Sequence, residues 1–489
     1  MNLVDAHISS LQADEWNEGE TPVVSALIHM AAKDQVSLHV PGHKQGRLFP
    51  SSLSAWMGRS LQLDLTELPG LDNLHQPEGC IRQSEQLAAS HYGATETLYS
   101  VNGSSAAVMA AVMSAAANRR ILVAGSFHQS LWKGLVLADA EPVLIPPEFD
   151  REWMEVVPPT PLTIASALKE HPDVAAVFVT SPTYHGRIAD IRAIAEAVHQ
   201  ASVPLIVDEA HGAHLGLADG LPPHSVHSGA DVVIQSVHKV LPALTQTAWM
   251  HLQGPYIDRA LVRQCLLMLQ TTSPSYLLLA SLDAAQAWLR HHGRQTVEFS
   301  LQILMAYAEV ATEPWLNHVA AQQVGHSEKF FRDPFRIWIP TGSYEVSRAI
   351  ADALEQQGLM LEYADSLGVL LVLSLDIKER DLNRWLSVIR SQSLPQVDST
   401  LSIWQDANAP QLLVSPRQAA FASHERIPLT RSVGRIAGQT ISPYPPGTPL
   451  VYPGQMMDEK TVARLMHLSE TGYQVVGIDS TRGIDVLHL

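Results

Sequence analysis

The stretch of sequence that decides the fold covers residues 231–251 and reads DVVIQSVHKVLPALTQTAWMH. Its first residues form a short apolar run of strand type, which ends in a loop that contains Lys239. Lysine side chains usually lie in solvent, and for Lys239 alone that is the ordinary interpretation. Upstream, PLIVDEAHGAH (residues 204–214) places Asp208 directly after another strand of buried type. Because ligands bind beyond the carboxyl ends of parallel strands, this carboxylate and this lysine are expected to meet at one edge of a sheet.

Outward from this stretch, small-residue helices alternate with short apolar runs. Continuous apolar strands separated by helices predict a parallel sheet that is covered on both faces. The segments that follow this βα pattern are a helix AAVMAAVMSAAA from Ala106 that begins near Ser105, a strand ILVAG from Ile121, an apolar run over residues 135–145, a helix over residues 164–170, a strand VAAVFVTS from Val174 and a helix over residues 191–200.

The stretch YSVNGSSAAVMAAVMSA (residues 99–115) predicts a strand, a Gly-Ser-Ser turn and an alanine-rich helix. Free N–H groups and the positive end of the helix dipole at Gly103, Ser104 and Ser105 suit a phosphate dianion. An ordinary serine N-cap is the alternative interpretation of this motif.

His128, in SFHQSLWKG, follows the ILVAG strand and can lay its imidazole against a planar ring, although a plain loop histidine is the alternative. Lysine forms an imine with pyridoxal 5′-phosphate (PLP), and a carboxylate such as Asp208 keeps the pyridine nitrogen protonated, so that the ring accepts electrons. On its own, Asp208 also suits the capping of a turn. The motifs together predict a PLP enzyme with the cofactor on Lys239.

The composition excludes several classes of function. The chain has 489 residues, 46% of them hydrophobic and 17% charged, and a formal net charge of −17. Without clustered Lys and Arg, nucleic acid is not expected as a partner. The acidic balance either favours cationic substrates or serves solubility alone. Cys80 and Cys265 lie too far apart in sequence for a disulfide framework or a cysteine-based metal site, so we expect no metal and a reducing compartment. The acidic N-terminus has no signal-peptide pattern, and no apolar stretch is long enough to span a membrane, so we expect a cytoplasmic protein without a membrane partner.

A chain of this length exceeds a single core, so two or three domains are expected. An apolar stretch from Tyr276 predicts a long helix that runs towards Val310 and leads out of the large domain. The predicted units are an N-terminal extension (1–20), a cofactor-binding large domain (21–300), a small α+β domain (301–395), a linker (396–410) and a C-terminal domain (411–489).

The motifs together resemble the Orn/Lys/Arg decarboxylases of fold-type I, in particular the short bacterial arginine or lysine decarboxylases. The resemblance runs nearly end to end and rests on HVPGHKQG (39–46), DLTELPGLDNLHQPEG (64–79), VNGSSA, FHQS, SPTYHG, DEAHGAH, SVHK, TTSPSYLLLASLD and VGRIAGQTISPYPPGTPLVYPG. It implies an α/β, aspartate aminotransferase-like large domain with a mostly parallel seven-stranded sheet, followed by smaller α+β C-terminal domains. It also implies PLP-dependent decarboxylation of a basic L-amino acid for polyamine synthesis. Arginine, which gives agmatine and CO₂, is favoured over lysine or ornithine because of chain length and C-terminal layout.

The same resemblance assigns roles to individual residues. Lys239 matches the imine lysine, Asp208 the pyridinium partner and His128 the stacked residue, while Lys239 or His238 returns a proton to Cα. Further cofactor contacts implied are Gly103, Ser104, Ser105, Ser236 and His238 at the phosphate, Thr183 and His211 close to the ring, and Ala210 under it. Thr271, in QTTSPSY, matches a residue donated to the neighbouring subunit's phosphate, which implies a homodimer or a larger homo-oligomer built of dimers.

The chain departs from the family pattern at several positions. Relatives usually carry an Arg-Asn pair before the stacked histidine, where this chain has Gly125, Ser126 and Phe127. Asn73 stands where aspartate is common, and Gln439 and Gln455 stand where glutamate is frequent. Because a cationic substrate needs anionic partners, these changes bear on substrate identity.

Three open questions remain at the level of sequence. Candidate anions for a cationic substrate tail are Asp72, Glu78 and Asp64, each of which also suits a solvated surface. Another PLP reaction, such as transamination or aldol cleavage, needs an arginine for the substrate carboxylate, and Arg348 or Arg380 is available. A non-catalytic PLP-binding regulatory protein is the second alternative, and the complete set of Lys239, Asp208 and His128 argues against it.

Overall fold

The computed structural model describes residues 20–33, 35–311, 313, 315–316, 331–392, 410–443, 449–470 and 475–488. The predicted N-terminal extension apart from Glu20, the predicted linker apart from Pro410, and the PYPPG turn after Pro443 lie outside these residues.

The described strands form one large sheet and several small ones. In chain order they are β1 Glu96–Ser100, β2 Arg120–Ala124, β3 Glu141–Ile145, β4 Glu148–Asp150, β5 Glu155–Val157, β6 Val177–Thr180, β7 Arg187–Ile188, β8 Leu205–Asp208, β9 Val232–Gln235, β10 Ala248–Leu252, β11 Phe331–Arg332, β12 Arg336–Pro340, β13 Tyr363–Ala364, β14 Gly368–Val372, β15 His424–Pro428, β16 Ser442–Pro443, β17 Val475–Val476 and β18 Gly483–Leu487.

The α-helices alternate with the strands of the large sheet and then continue into the later units. They are α1 Pro22–Ala31, α2 Ser51–Met57, α3 Cys80–Tyr92, α4 Gly103–Ala116, α5 Gln129–Ala138, α6 Pro161–Glu170, α7 Ile191–Gln200, α8 Val237–Val240, α9 Arg259–Leu269, α10 Tyr276–Trp288, α11 Arg294–Glu309, α12 Tyr344–Gln356, α13 Glu379–Arg390, α14 Pro416–Phe421 and α15 Glu459–Glu470.

The large sheet has seven strands in the order β1-β10-β9-β8-β6-β2-β3. Strands β9, β8, β6, β2 and β3 are parallel, and β10 runs antiparallel to both of its neighbours. This confirms the prediction of a mostly parallel seven-stranded sheet. The carboxyl ends of β8 and β9 are therefore adjacent, which brings the DEAHGAH and SVHK loops to one edge.

Both faces of this sheet are buried, as the continuous apolar strands predict. Along β8, Ile206 packs into a cluster with α4, α5 and α9, whereas Leu205 and Val207 pack into a second cluster with α6 and α7. The alternation follows from the two-residue period of a strand. Such a two-sided core holds the strand ends rigid beneath the loops.

Two smaller units follow the large one. Strands β12, β14 and β13 form a three-stranded sheet that packs with α12 and α13, in agreement with the predicted small α+β unit. In the last unit, β15 pairs with β18, and an apolar cluster that includes Leu465 of α15 lies beneath them. The boundaries of the three predicted domains stay predictions.

Helix α4 begins at Gly103, close to the predicted start near Ser105, and the positive φ of Gly103 (75°) turns the chain into the helix. The structure corrects two other sequence predictions. The apolar run over residues 135–145 is divided between the end of α5 and β3, with Asp139 in a left-handed conformation between them. The strand predicted from Val174 begins at Val177.

The long helix predicted from Tyr276 is present as α10 and α11, which a π-helical turn joins, and it ends at Glu309. None of the described helices combines the length and apolar character that a membrane crossing requires.

Candidate active site

Lys239 lies in the short helix α8, which directly follows the buried strand β9. Its Nζ lies 3.3 Å from Nε2 of His211, in the loop after β8. One side of Lys239 is open to solvent, but the remainder is enclosed by protein atoms. This desolvation lowers the pKa of Lys239, the carboxylate of Asp208 opposes the shift, and the guanidinium of Arg336 adds to it. The net shift makes the amine easier to deprotonate, which is the direction that a nucleophilic lysine requires.

Asp208 is the last residue of β8 and is only 4% exposed. Its Oδ1 accepts a hydrogen bond of 3.2 Å from the backbone N–H of Ala210. Burial raises the pKa of Asp208, and the positive charge of Lys239 opposes the shift. Within the described part of the chain, this carboxylate forms no ion pair shorter than 4 Å, so its charge remains available for a cationic ligand.

Ser104 and Ser236 join the first turn of α4 to the end of β9. The hydroxyl of Ser236 donates to that of Ser104 at 2.7 Å. No side chain caps α4, because Asn102 at the N-cap makes no such hydrogen bond. The N–H of Gly103 is bonded to the carbonyl of Gln246 at 2.9 Å, so the amides of the next residues, including Ser105, remain for an anion.

His128 is the N-cap residue of α5, and its Nδ1 accepts from the N–H of Ser130 at 3.2 Å. The pKa of His128 is lowered to about 4 because the surrounding protein removes water from the imidazole and because Lys239 and Lys133 are positively charged. Part of the ring nevertheless remains open to solvent. A neutral ring with an exposed face suits stacking on a planar ligand.

Nδ1 of His238 lies 2.9 Å from the carbonyl oxygen of Thr247, so Nδ1 carries the ring hydrogen and donates to that oxygen. In the neutral ring, Nε2 is then an acceptor. Thr183 is buried, and its hydroxyl accepts from the N–H of Arg187 at 3.0 Å.

Thr271 is exposed, and its carbonyl lies 2.9 Å from Nε2 of His75. Within the described residues, Thr271 has no hydrogen bond to the other predicted site residues. The exposed position of Thr271 is compatible with a contact to a second subunit.

Sequence reasoning missed one side of the site, which the small unit supplies. Arg336, the first residue of β12, donates from Nη1 to the carbonyl of Tyr184 at 2.8 Å and from Nη2 to Nδ1 of His211. The hydroxyl of Tyr184 donates to Oε1 of Glu362 at 2.5 Å, and the field of Glu362 reaches Lys239. Because β12 lies far from the DEAHGAH motif in sequence, no local pattern predicts these contacts.

Gly186, the last residue of SPTYHG, leaves room for Arg336. Its φ is +96°, and a Cβ at this position would lie 2.9 Å from the Cβ of Arg336. We expect Gly186→Ala to destabilise the protein by more than the about 1–3 kcal/mol of backbone strain alone, because Arg336 must also shift. The matched control is Gly229→Ala, which has the same φ of +96° but an ordinary 3.5 Å contact to Ala195. Thermal unfolding of both variants measures this difference. An equal fall in melting temperature in the two variants would contradict the steric role of Gly186.

The departures from the family pattern have local structural roles. Gly125 has a φ of +81°, which glycine adopts readily. Phe127 stacks on Tyr452 of the C-terminal unit at a centroid distance of 5.6 Å.

The amide residues that replace carboxylates form local hydrogen bonds. Oε1 of Gln455 accepts from the N–H of Tyr452 at 3.1 Å, and Gln439 donates to the carbonyl of Gly477. The N–H of His75 donates to Oδ1 of Asn73 at 2.8 Å.

The candidate anions and arginines can also be placed. The carboxylate of Asp72 accepts from five backbone N–H groups, those of Asn73, Glu78, Gly79, Ile81 and Arg82, so it organises the start of α3. Asp64 is paired with His43 at 3.0 Å, and Oε1 of Glu78 accepts from Gln76 at 2.9 Å.

Neither arginine suggested for a substrate carboxylate is tied to the site. Arg348 is paired with Asp352 on the exposed surface of α12 at 2.6 Å, and Arg380 is paired with its neighbour Asp381 at 3.3 Å. Transamination therefore gains no support from these two residues.

The sheet topology and the strand-end position of the lysine define an α/β enzyme of the fold-type I class. Among solved structures, L-threonine transaldolase from Pseudomonas fluorescens, in its internal aldimine state, has this fold (TM-score 0.50, 14% identity, 81% of this chain and 89% of that chain). Lysine decarboxylase LdcF of Francisella novicida matches it more fully (TM-score 0.80, 17% identity, 99% of this chain and 83% of that chain).

The chain belongs to the Orn/Lys/Arg decarboxylase family. The family's major domain matches residues 21–381, and its C-terminal domain matches residues 404–479. The chain is also similar to the arginine decarboxylase of Bacillus subtilis (strain 168), with 32% identity over 473 residues that cover 94% of this chain and 96% of the relative. The resemblance inferred from the motifs is thereby confirmed.

Proposed function

We propose that the protein is a PLP-dependent decarboxylase of a basic L-amino acid, with arginine favoured and agmatine and CO₂ as products. The observation that carries this proposal is the meeting of Lys239, buried Asp208 and the Ser104–Ser236 pair at one edge of the sheet. Family membership specifies the reaction among those that such a site supports.

The residues present fit PLP. Buried Asp208 has no ion pair in the described structure, and a protonated pyridine nitrogen would supply the missing cation. The N-terminus of α4 has no side-chain cap, and the hydroxyls of Ser104 and Ser236 stand beside it, as a phosphate group requires. His128 offers a neutral ring.

When bound, PLP supplies an electron sink for the electrons of the Cα–carboxylate bond as CO₂ leaves. Lys239 would hold the cofactor, and the desolvation that lowers its pKa acts in the direction that this requires. Asp208 would keep the ring nitrogen protonated, and the neutral imidazole of His128 would contact the ring. Lys239 or His238 returns a proton to Cα, which yields an amine.

Arginine is favoured over lysine and ornithine because the similar protein from Bacillus subtilis is named an arginine decarboxylase and matches in length. A guanidinium or ammonium tail needs an anionic partner. Glu362 is an exposed carboxylate whose charge acts on Lys239, and it suits this role better than Asp72, whose oxygens are taken by backbone amides. Agmatine would feed polyamine synthesis.

We further infer a homodimer or a larger assembly of dimers, with Thr271 of one subunit at the phosphate of the other. Its exposure supports this, as do exposed apolar side chains near the N-terminus, among them Leu38 (90% exposed) and Trp56 (88% exposed). A cytoplasmic location agrees with the two free cysteines.

Borohydride reduction of the PLP-loaded protein, followed by peptide mass spectrometry, tests the cofactor assignment. We expect the reduced cofactor on the peptide that contains Lys239, and its attachment elsewhere would refute the assignment. Identification of the product from L-arginine then separates the reactions, since an amine indicates decarboxylation whereas a keto acid indicates transamination.

A further inference from the structure

We propose that Arg336 is a positioning residue, which fixes the ring hydrogen of His211 on Nε2 so that His211 donates a hydrogen bond to a neutral Lys239 amine. The inference deepens the proposed function and rests on it, since a neutral amine is the form of Lys239 that captures the PLP aldehyde.

The geometry around Arg336 holds its guanidinium in place. Arg336 is 4% exposed, and its Nη1 donates to the carbonyl of Tyr184 at 2.8 Å while Nη2 donates to Nδ1 of His211. Its Nε lies 3.8 Å from Oδ2 of Asp333, and that carboxylate is in turn bonded to His214 at 3.0 Å. Because the guanidinium group (the fork of Arg336) has partners at both ends, it has little freedom to rotate away from His211.

Hydrogen-bond chemistry then decides the tautomer of His211. A guanidinium has donors only, so Nδ1 of His211 must act as the acceptor. In a neutral imidazole the hydrogen consequently lies on Nε2, which is 3.3 Å from Nζ of Lys239. An ammonium group also has donors only, so this contact is a hydrogen bond only when Lys239 is the neutral amine.

Burial of this pair acts in the same direction, whereas the charges that face Lys239 are divided. His211 faces Arg336, Lys239, His128 and His238, and its burial together with these groups lowers its pKa well below the ordinary value. Desolvation lowers the pKa of Lys239, and of its charged neighbours Arg336 adds to this shift. The carboxylates that face Lys239, those of Asp208 and Glu362, oppose it.

The test measures the neutral fraction of Lys239 directly. The full-length, PLP-free chain is labelled briefly with acetic anhydride across a range of pH, and acetylation at Lys239 is quantified by mass spectrometry. We expect Arg336→Met to lower the labelling rate at neutral pH by roughly tenfold, which corresponds to a rise of one unit in the pH midpoint. Arg336→Lys keeps a charge but loses the fork, so a smaller rise is expected.

Arg332→Lys is the matched control. Arg332 is 7% exposed at the same junction, but its Nη2 donates to Glu155 and its Nη1 to the carbonyl of His185. If the effect came only from the loss of a buried arginine, Arg332→Lys would also shift the pH midpoint of acetylation at Lys239. We expect instead that this midpoint equals that of the wild type.

An unchanged Lys239 midpoint in folded Arg336→Lys would overturn the inference, and so would an equal rise in Arg332→Lys. The labelling experiment needs no cofactor, so its result stands apart from the proposed function. If the wild-type protein fails to bind PLP while the midpoints shift as expected, the function is wrong and the positioning role of Arg336 holds.

Discussion

Lys239→Ala is expected to reduce CO₂ release to the background rate, the largest effect of any single substitution in this chain. The substitution removes the amine that holds the cofactor and a group that can return a proton to Cα. The hydrogen bond between Ser236 and Ser104 does not involve Lys239, so we expect this part of the site to remain. The measurement is release of labelled CO₂ from carboxyl-labelled L-arginine with saturating PLP.

Lys378→Ala provides the matched control for this prediction. Lys378 is an exposed lysine that pairs with Asp376 at 2.7 Å on the surface. We expect its activity to equal that of the wild type. Full activity in folded Lys239→Ala would show that another group holds the cofactor.

Asp208→Asn is expected to lose roughly 10²–10³-fold in kcat while the protein still binds PLP, in line with the removal of one electrostatic partner at a reaction centre. Asparagine has nearly the same shape, and its side-chain oxygen can still accept from the N–H of Ala210. It carries no charge and cannot keep the ring nitrogen protonated. Asp258→Asn, at the exposed N-cap of α9, is the control. An Asp208→Asn variant with normal turnover would contradict the electron-sink role.

The same substitution is expected to stabilise the PLP-free protein at neutral pH. Burial raises the pKa of Asp208 above 3.8 in the folded protein. As the pH rises, the carboxyl group therefore ionises at a lower pH in the unfolded chain than in the folded protein, and this difference stabilises the unfolded state. The penalty is absent below pH 3.8 and is complete above the folded pKa. Asp208→Asn removes it, so the melting temperature should rise at pH 7.5. A fall in melting temperature would show that the charge is compensated in the cofactor-free protein.

Much of the fold can be predicted from sequence patterns that have a known physical cause. Strands buried on both faces are continuous apolar runs, so β8 and β9 were predictable, as was the arrival of Asp208 and Lys239 at one edge. The helix over residues 191–200 has the predicted bounds, because the side chain of Asp190 caps its N-terminus.

The second side of the site was not predictable in this way. Arg336 reaches His211 only because β12 and the DEAHGAH loop pack together, a contact between residues that are 125 positions apart. An arginine at the start of a strand has no local signature of function, and Arg348 and Arg380 were equally plausible before the structure placed them on the surface. The roles of Gln439 and Gln455 likewise depend on turns that only the folded chain forms.

The most direct test offers carboxyl-labelled L-arginine, L-lysine and L-ornithine separately to the purified, PLP-loaded protein and measures labelled CO₂. We predict release from one of these amino acids, with arginine the preferred substrate. No release from any of the three, by protein whose visible absorption shows bound cofactor, would contradict the assignment as a basic amino-acid decarboxylase.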